Sequence, residues 1–238
     1  MPLEPMTEHP LRPALEATLT ELGLPLAPVE CLLSYLDLLA RWNATYNLTA
    51  VRDPQDMLRQ HLADCLAVVG PMARQLAQPP GGGADAASRP VRVLDVGSGG
   101  GLPGVVLAAM FPHWPVVCVD TVGKKAAFIR QAAVELGLRN LSGEHARVEA
   151  LRATPFDVIT SRAFASLVDF TRLTRSLLAP QGVWMAMKGR GPTEELAALP
   201  GDIEVFHVEP LTVPGLQAER CLVWMRLREA AASLAPTA

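Results

Sequence analysis

The sequence is poor in cysteine, with four in 238 residues, at positions 31, 65, 118 and 221. No two are spaced as a CxxC pair, so a zinc knuckle is excluded. A chain this long with so few cysteines is not a disulfide scaffold either. Reduced thiols and a cytoplasmic location are the expectation. Long apolar runs are also lacking: the longest, 105–111, has about seven residues, against the ~20 that a membrane span needs. The acidic, proline-rich start has no basic n-region and no apolar h-region, so neither a signal peptide nor a membrane partner is expected. An excess of positive charge is missing as well. The 21 Lys and Arg against 24 Asp and Glu give a net charge of −3. That excludes a protein that holds nucleic acid by bulk electrostatics, although not one that grips a shaped RNA locally. The five histidines are scattered and form no metal set. The 18 glycines and 21 prolines follow no period, which excludes collagen.

What is present is material for a core: 50% of residues are hydrophobic and 19% charged. Charge is divided unevenly. Residues 1–85 hold 5 basic and 10 acidic residues, and the remainder is net positive. The break falls in 78–90, a stretch of Gly, Pro, Ala and Ser without periodicity, which reads as a flexible linker or loop. Residues 1–77 read as helical. Leu15, Leu19 and Leu22 form one stripe, Leu32, Leu33, Leu36, Leu39 and Ala40 a second after Pro28, and Leu58, Leu62, Cys65, Leu66 and Val69 a third. Asp53-Pro54 supplies a cap and a first helical residue for the third.

Residues 91–238 change pattern. Strands are predicted at 91–96, 116–120, 141–145, 157–161, 182–188, 203–208 and 220–227, and helices at 103–111, 124–136, 167–178 and 193–199. This alternation implies an α/β, Rossmann-like domain with a largely parallel sheet. The last two strands read as a closing pair, with Pro210, Pro214 and Gly215 in the connection.

The informative segment is Asp95 to Gly104, DVGSGGGLPG, where an apolar strand runs into glycines before a helix. In a doubly wound sheet ligands bind at such strand ends, and glycines there let backbone N–H groups approach closely. Gly99-x-Gly101-x-x-Gly104 fits a dinucleotide fingerprint on paper. Asp95, two residues before the first glycine, suits a cationic ligand better than a pyrophosphate. Asp120 ends the next strand, where a carboxylate accepts hydrogen bonds from both hydroxyls of a ribose. Asp120 also suits a cap for the following helix. Acid, glycine loop and second acid are the arrangement expected for S-adenosylmethionine. No GK[ST] follows the glycines, so a P-loop is excluded.

With these residues in view, the sequence resembles the bacterial 16S ribosomal RNA guanine-N7 methyltransferases, also called the glucose-inhibited division protein B family. The resemblance runs over about 30–190. Besides the loop it rests on Trp42-Asn43, Asn47-Leu48-Thr49, His61 with Asp64, Gly123-Lys124-Lys125 with Phe128, Arg147-Val148-Glu149, Ser161 to Ser166 and Lys188-Gly189, in family order. It implies a class I methyltransferase fold with a seven-stranded, mostly parallel sheet and a helical N-terminal extension. It also implies methyl transfer to N7 of one guanosine, position 527, of 16S rRNA; the weak overall charge points to a formed, protein-bearing surface, the 30S subunit, with naked rRNA as the alternative. By the same resemblance Gly97 and Leu102 line the cofactor, beside Gly99 of the same loop. Val148 and Glu149 flank its adenine, and Arg162 reaches the site from a strand end. Cys65 stands where the family usually carries serine. A monomer is the default expectation.

The residues allow a test of the target atom. Amine methylation usually uses a polar-Pro-Pro-aromatic motif at the fourth strand end, and residues 156–162 have none. Carbon methylation of a pyrimidine needs a nucleophilic cysteine, and all four cysteines read as core or strand positions. Guanine N7 has a free lone pair and no proton to lose, so position suffices and no general base is required. Arg162 is suited to guanine O6, to the methionine carboxylate or to a phosphate. Lys188, at a strand end, is suited to positioning or to RNA. His61 with Asp64 reads as a polar contact between helices, and Trp42 as a packing residue. A small-molecule methyltransferase of the same fold and a non-catalytic RNA-binding factor are the competing readings. The net charge favours the former, and the intact acids and glycines oppose the latter.

Overall fold

The computed structural model describes residues 8–76, 90–162, 164, 166–189 and 191–228. The segment read as a linker therefore lies, apart from Pro90, outside the described residues. The N-terminal part is helical: α1 (Arg12–Glu21), α2 (Val29–Tyr46), α3 (Pro54–Met57), α4 (Asp64–Leu66) and α5 (Val69–Leu76). Asp53 caps α3 through the Asp56 N–H, with Pro54 in the first turn. The third stripe is not one regular helix, because a π-helical turn (Leu58–Ala63) joins α3 to α4. Such wide turns recur at functional sites, and this one carries His61.

After Pro90 come β1 (Val93–Val96), α6 (Gly104–Met110), β2 (Val116–Asp120), α7 (Gly123–Glu135), β3 (Leu141–His145), β4 (Phe156–Ser161), α8 (Leu167–Thr174), β5 (Leu178–Lys188), α9 (Thr193–Ala197), β6 (Ile203–Leu211) and β7 (Arg220–Leu227). They form a seven-stranded sheet of order β3-β2-β1-β4-β5-β7-β6. Strands β1 to β5 pair in parallel, and β7 runs antiparallel between β5 and β6. The chain reverses direction of travel across the sheet between β1 and β4, which opens a crevice at their carboxyl ends.

Every predicted strand forms, with local differences: β5 begins at Leu178, ahead of the expected 182–188, and β6 runs on past 208 to Leu211. Pro210 lies inside β6 and not in the connection, which a proline tolerates because β6 is an edge strand. Val91 and Arg92 precede β1. The helix expected over 167–178 stops at Thr174 and passes through a 3-10 turn into β5. There the Thr174 hydroxyl donates to the Phe170 carbonyl at 2.6 Å and accepts the Trp184 indole N–H at 2.8 Å, tying the helix end to the sheet.

Alternation along the strands sorts the core into two layers. Val93, Val183, Met185, Leu222 and Trp224 face one side, where they pack with α6, α7 and the N-terminal helices. Leu94, Trp184, Ala186, Val223 and Met225 face the other, with Phe170 of α8. Each such large side chain fully buried stabilises by roughly 1.5–3 kcal/mol. The helices of 1–77 thus share one apolar cluster with the sheet. That packing fixes α2 directly against the loop that follows β1.

Candidate active site

At the end of β1 the chain turns sharply. Gly97, Gly99 and Gly101 have φ of 68°, 59° and 85°, a region that glycine enters without steric cost. The Gly97 N–H donates to the Val119 carbonyl, and the Gly101 and Leu102 N–H groups donate to that of Ser98. Two carboxylates anchor this loop. Asp95 Oδ2 accepts the Gly104 N–H at 2.9 Å, which holds the first residue of α6. Asp120 Oδ2 accepts the Gly99 N–H at 3.0 Å, and its Oδ1 accepts the Val122 N–H, at the cap position of α7, at 2.8 Å. Asp120 therefore ties the glycine loop to the turn that leads into α7.

The two acids differ in exposure. Asp120 lies in the wall of a hollow of about 400 Å³. Gly97, Val119, Lys125, Val148, Glu149, Phe164 and Leu173 share that wall. Asp95 is fully buried beneath the loop and lines neither this hollow nor its neighbour. Its Oδ1 has no partner, and burial pushes its pKa up to about 7, although the Gly104 N–H and the Arg162 charge act to lower it. The carboxylate read from sequence as a direct contact for a cationic ligand thus sits as the anchor under the loop.

The second hollow, of about 160 Å³, is lined by Leu39, Leu48, Thr49, His61, Gly97 to Gly100, Leu102, Lys125 and Arg162. Its roof is the segment after α2. Asn43 shapes that segment by donating to the Val51 carbonyl at 3.0 Å and accepting the Thr49 N–H at 2.9 Å. Thr49 Oγ1 meets His61 Nε2 at 2.7 Å. Burial, reinforced by Arg162, lowers the His61 pKa, so the imidazole is neutral near pH 7. Trp42 packs on Tyr46 and Phe128, with ring centroids 5.0 and 5.5 Å apart.

A third hollow, of about 390 Å³, adjoins the second through His61 and Arg162, which line both. Gln60, Asp64, Met187, Lys188, Gly189 and Arg220 complete it. Arg220 Nε donates to Asp64 Oδ1 at 2.8 Å, and an Arg162 terminal nitrogen lies 3.6 Å from Asp64 Oδ2. Lys188 Nζ, suited from sequence to positioning or to RNA, is held at 2.7 Å by Glu195 of α9 and at 3.1 Å by the Phe164 carbonyl. Among the described residues no cluster of His, Cys, Asp and Glu could hold a metal ion. None of the described helices is long and apolar enough to cross a membrane.

Gly97, Gly99 and Leu102 meet Arg162 in one hollow, and Asp120, Val148 and Glu149 share the next. Only Asp95 lies below. Sequence reasoning passed over Arg220, Glu195 and Tyr35. Arg220 had one readable signal. It opens a strand that, running antiparallel to β5, brings its first residue to the carboxyl edge of the parallel strands, with Cys221 opposite Lys188.

The fold and the cleft at the carboxyl ends of β1 and β2 define a class I S-adenosylmethionine-dependent methyltransferase. The residues present fit the cofactor. A glycine loop opens on an apolar wall of Val119, Val148, Phe164 and Leu173 that also carries the carboxylates of Asp120 and Glu149, in a hollow of the size that small ligands fill. The chain matches the model of the family described as rRNA small subunit methyltransferase G over residues 29–223, and it belongs to that family. It is 61% identical over 222 residues to the ribosomal RNA small subunit methyltransferase G of Acidovorax sp. (strain JS42), covering 92% of this chain and 95% of that protein. It is 57% identical over 227 residues to the protein of the same name from Leptothrix cholodnii, covering 94% of this chain and 100% of that one. Among solved structures, a SAM-dependent methyltransferase from Aquifex aeolicus shares the fold. Its TM-score is 0.51 at 16% identity, over 73% of this chain and 93% of that one.

Proposed function

We propose that this protein transfers a methyl group from S-adenosylmethionine to N7 of one guanosine, position 527, of 16S ribosomal RNA within the 30S subunit, in the cytoplasm and as a monomer. The observation that carries this reading is the junction of two hollows at His61 and Arg162. One side offers the glycine loop, and the other a wall of Arg162, Lys188 and Arg220. On this reading Gly97, Gly99, Leu102, Asp120, Val148 and Glu149 hold the donor. Asp120 keeps lone pairs for hydroxyl groups beyond the two N–H groups it accepts. Arg162 and Lys188 belong to the acceptor side, together with Arg220.

Bound there, S-adenosylmethionine supplies an electrophilic methyl on a sulfonium. The protein's residues then have to orient the base and exclude water, because N7 attacks with a free lone pair and gives up no proton. No general base is needed, and His61 Nε2 is already engaged by Thr49 Oγ1. The methylated ring becomes cationic. The cations of the acceptor wall are each paired with a carboxylate, Arg162 and Arg220 with Asp64 and Lys188 with Glu195. A wall neutralised in this way, with Arg162 and Arg220 facing the RNA, does not strongly oppose the charge that the ring gains.

The test is transfer of labelled methyl to unmodified 30S subunits and, in parallel, to naked 16S rRNA, with the site mapped by cleavage at N7-methylguanosine. Label at the single expected guanosine in subunits supports the donor, the acceptor and the target atom. Equal labelling of naked rRNA removes the subunit from the reading. No label on either, with the donor still bound, moves the acceptor elsewhere.

A further inference from the structure

The middle glycine of the loop has no backbone reason to be glycine. Gly99 and Gly101 have positive φ, and Gly100 does not. What stands against Gly100 is a helix from the N-terminal part of the chain. A Cβ at this position would lie 3.2 Å from Leu39 Cδ1 and 3.8 Å from the Tyr35 hydroxyl oxygen, both of α2. That hydroxyl donates to the Gly100 carbonyl at 2.6 Å. The Tyr35 ring is fully buried, 6.3 Å from that of Phe128. Burial raises the Tyr35 pKa well above its ordinary value, so the hydroxyl remains a neutral donor. The segment that follows α2 then places Leu48 and Thr49 in the lining of the same hollow as Gly97 to Gly100.

We infer that Tyr35 is a positioning residue of the donor site: its hydroxyl, held on the Gly100 carbonyl, fixes the glycine loop in the form that receives S-adenosylmethionine. The inference rests on reading that hollow as the donor site. It gives the N-terminal helices a part in donor binding. Movement of the loop at Gly100 requires movement of α2, and α2 is continuous with the roof that meets His61.

The test is calorimetric titration of S-adenosylhomocysteine into the full chain and its Tyr35→Phe variant, with Asp120→Asn as a control on the site. Tyr35→Phe removes one oxygen and keeps the ring. It is expected to weaken binding about three- to tenfold, the range for one buried neutral hydrogen bond. In turnover the loss falls on the KM for the donor and leaves the KM for rRNA in place, a split that general loosening of the fold would not produce. Unchanged affinity in Tyr35→Phe with a loss in Asp120→Asn overturns the Tyr35 inference alone. Unchanged affinity in both overturns the donor-site reading. Should Tyr35→Phe fail to fold, amide exchange in the wild type decides. Added S-adenosylhomocysteine is expected to slow exchange in α2 together with the loop, and slowing confined to the loop overturns the inference.

Discussion

Arg220 Nε donates to Asp64 Oδ1 at 2.8 Å, although the two residues are 156 positions apart. The other oxygen of Asp64 faces Arg162. One carboxylate from the N-terminal helices thus orders two guanidiniums from opposite flanks of β5. Asp64→Asn keeps the shape and removes the charge. Breaking a buried ion pair costs about 3–5 kcal/mol. Each arginine side chain here is about a quarter exposed, so a loss of about 2 kcal/mol is expected by denaturant titration. The KM for rRNA should rise at least about tenfold as the two arginines repel each other. An unchanged KM would show that their placement does not depend on Asp64.

Gly104 is glycine because of what lies behind it. A Cβ there would fall 2.2 Å from Cys118 Sγ and 3.0 Å from Asp95 Oδ2. Gly104→Ala is therefore expected to cost about 1–3 kcal/mol and to weaken donor binding, since Asp95 must leave the Gly104 N–H. Cys118→Ala creates the room that the new methyl needs. The double variant should recover part of the stability, giving a coupling of roughly 1 kcal/mol in a double-mutant cycle by thermal or urea unfolding. Additive losses would place the strain elsewhere.

The layout of the fold was legible because its signals are local. Strand and helix periods, Asp53-Pro54 and the glycine loop are each read within about ten residues; the strands, the cap and the loop formed where expected, whereas a π-turn breaks the third helical stripe and the helix from Leu167 ends at Thr174. That Gly97 and Asp120 share a hollow was legible for the same reason, since each stands at the end of one of two neighbouring strands. The rest depends on contacts between distant segments. Tyr35 fits the apolar stripe of α2, and nothing in its own surroundings says that its hydroxyl reaches a loop 65 positions away. Arg220 looks like any strand-opening residue until β7 is known to run antiparallel. Asp95 was placed in the lining because sequence shows the strand end but not the depth at which a side chain stops.

Lys188 separates two roles that sequence left open. Its ammonium group meets Glu195 and the Phe164 carbonyl, and Glu195 also accepts the Leu167 N–H at the start of α8. This places Lys188 as a staple on the chain between Arg162 and α8. Lys188→Met is expected to lower transfer markedly and to leave the salt dependence of rRNA binding unchanged. A lysine that neutralises a phosphate would reduce the logarithmic salt slope by about 1 when removed. Binding measured across a salt series distinguishes the two, and a reduced slope would make Lys188 an RNA contact.

Asp95, buried under the glycine loop, is expected to make the hollow that we read as the donor site sensitive to pH. Its carboxyl loses its proton near 3.8 in an unfolded chain and near about 7 in the fold, chiefly because burial disfavours the charge. Between those values the folded chain holds a proton that the unfolded chain has lost. The contribution of Asp95 to stability is therefore complete at low pH, falls as pH rises to about 7 and is level beyond. Asp95→Asn removes that dependence, so the variant should gain on the wild type as pH rises from ~4 to ~7 and keep a constant lead above that, in urea unfolding. A cationic ligand on the loop above favours the ionised carboxylate. Binding of S-adenosylmethionine at neutral pH should then expel part of a proton, visible as a calorimetric enthalpy that depends on the ionisation enthalpy of the buffer. S-adenosylhomocysteine, which has no sulfonium charge, should expel less, and Asp95→Asn should abolish the release. Equal release with both ligands would mean that the sulfonium does not act on Asp95. Release that persists in Asp95→Asn would assign the proton to another group.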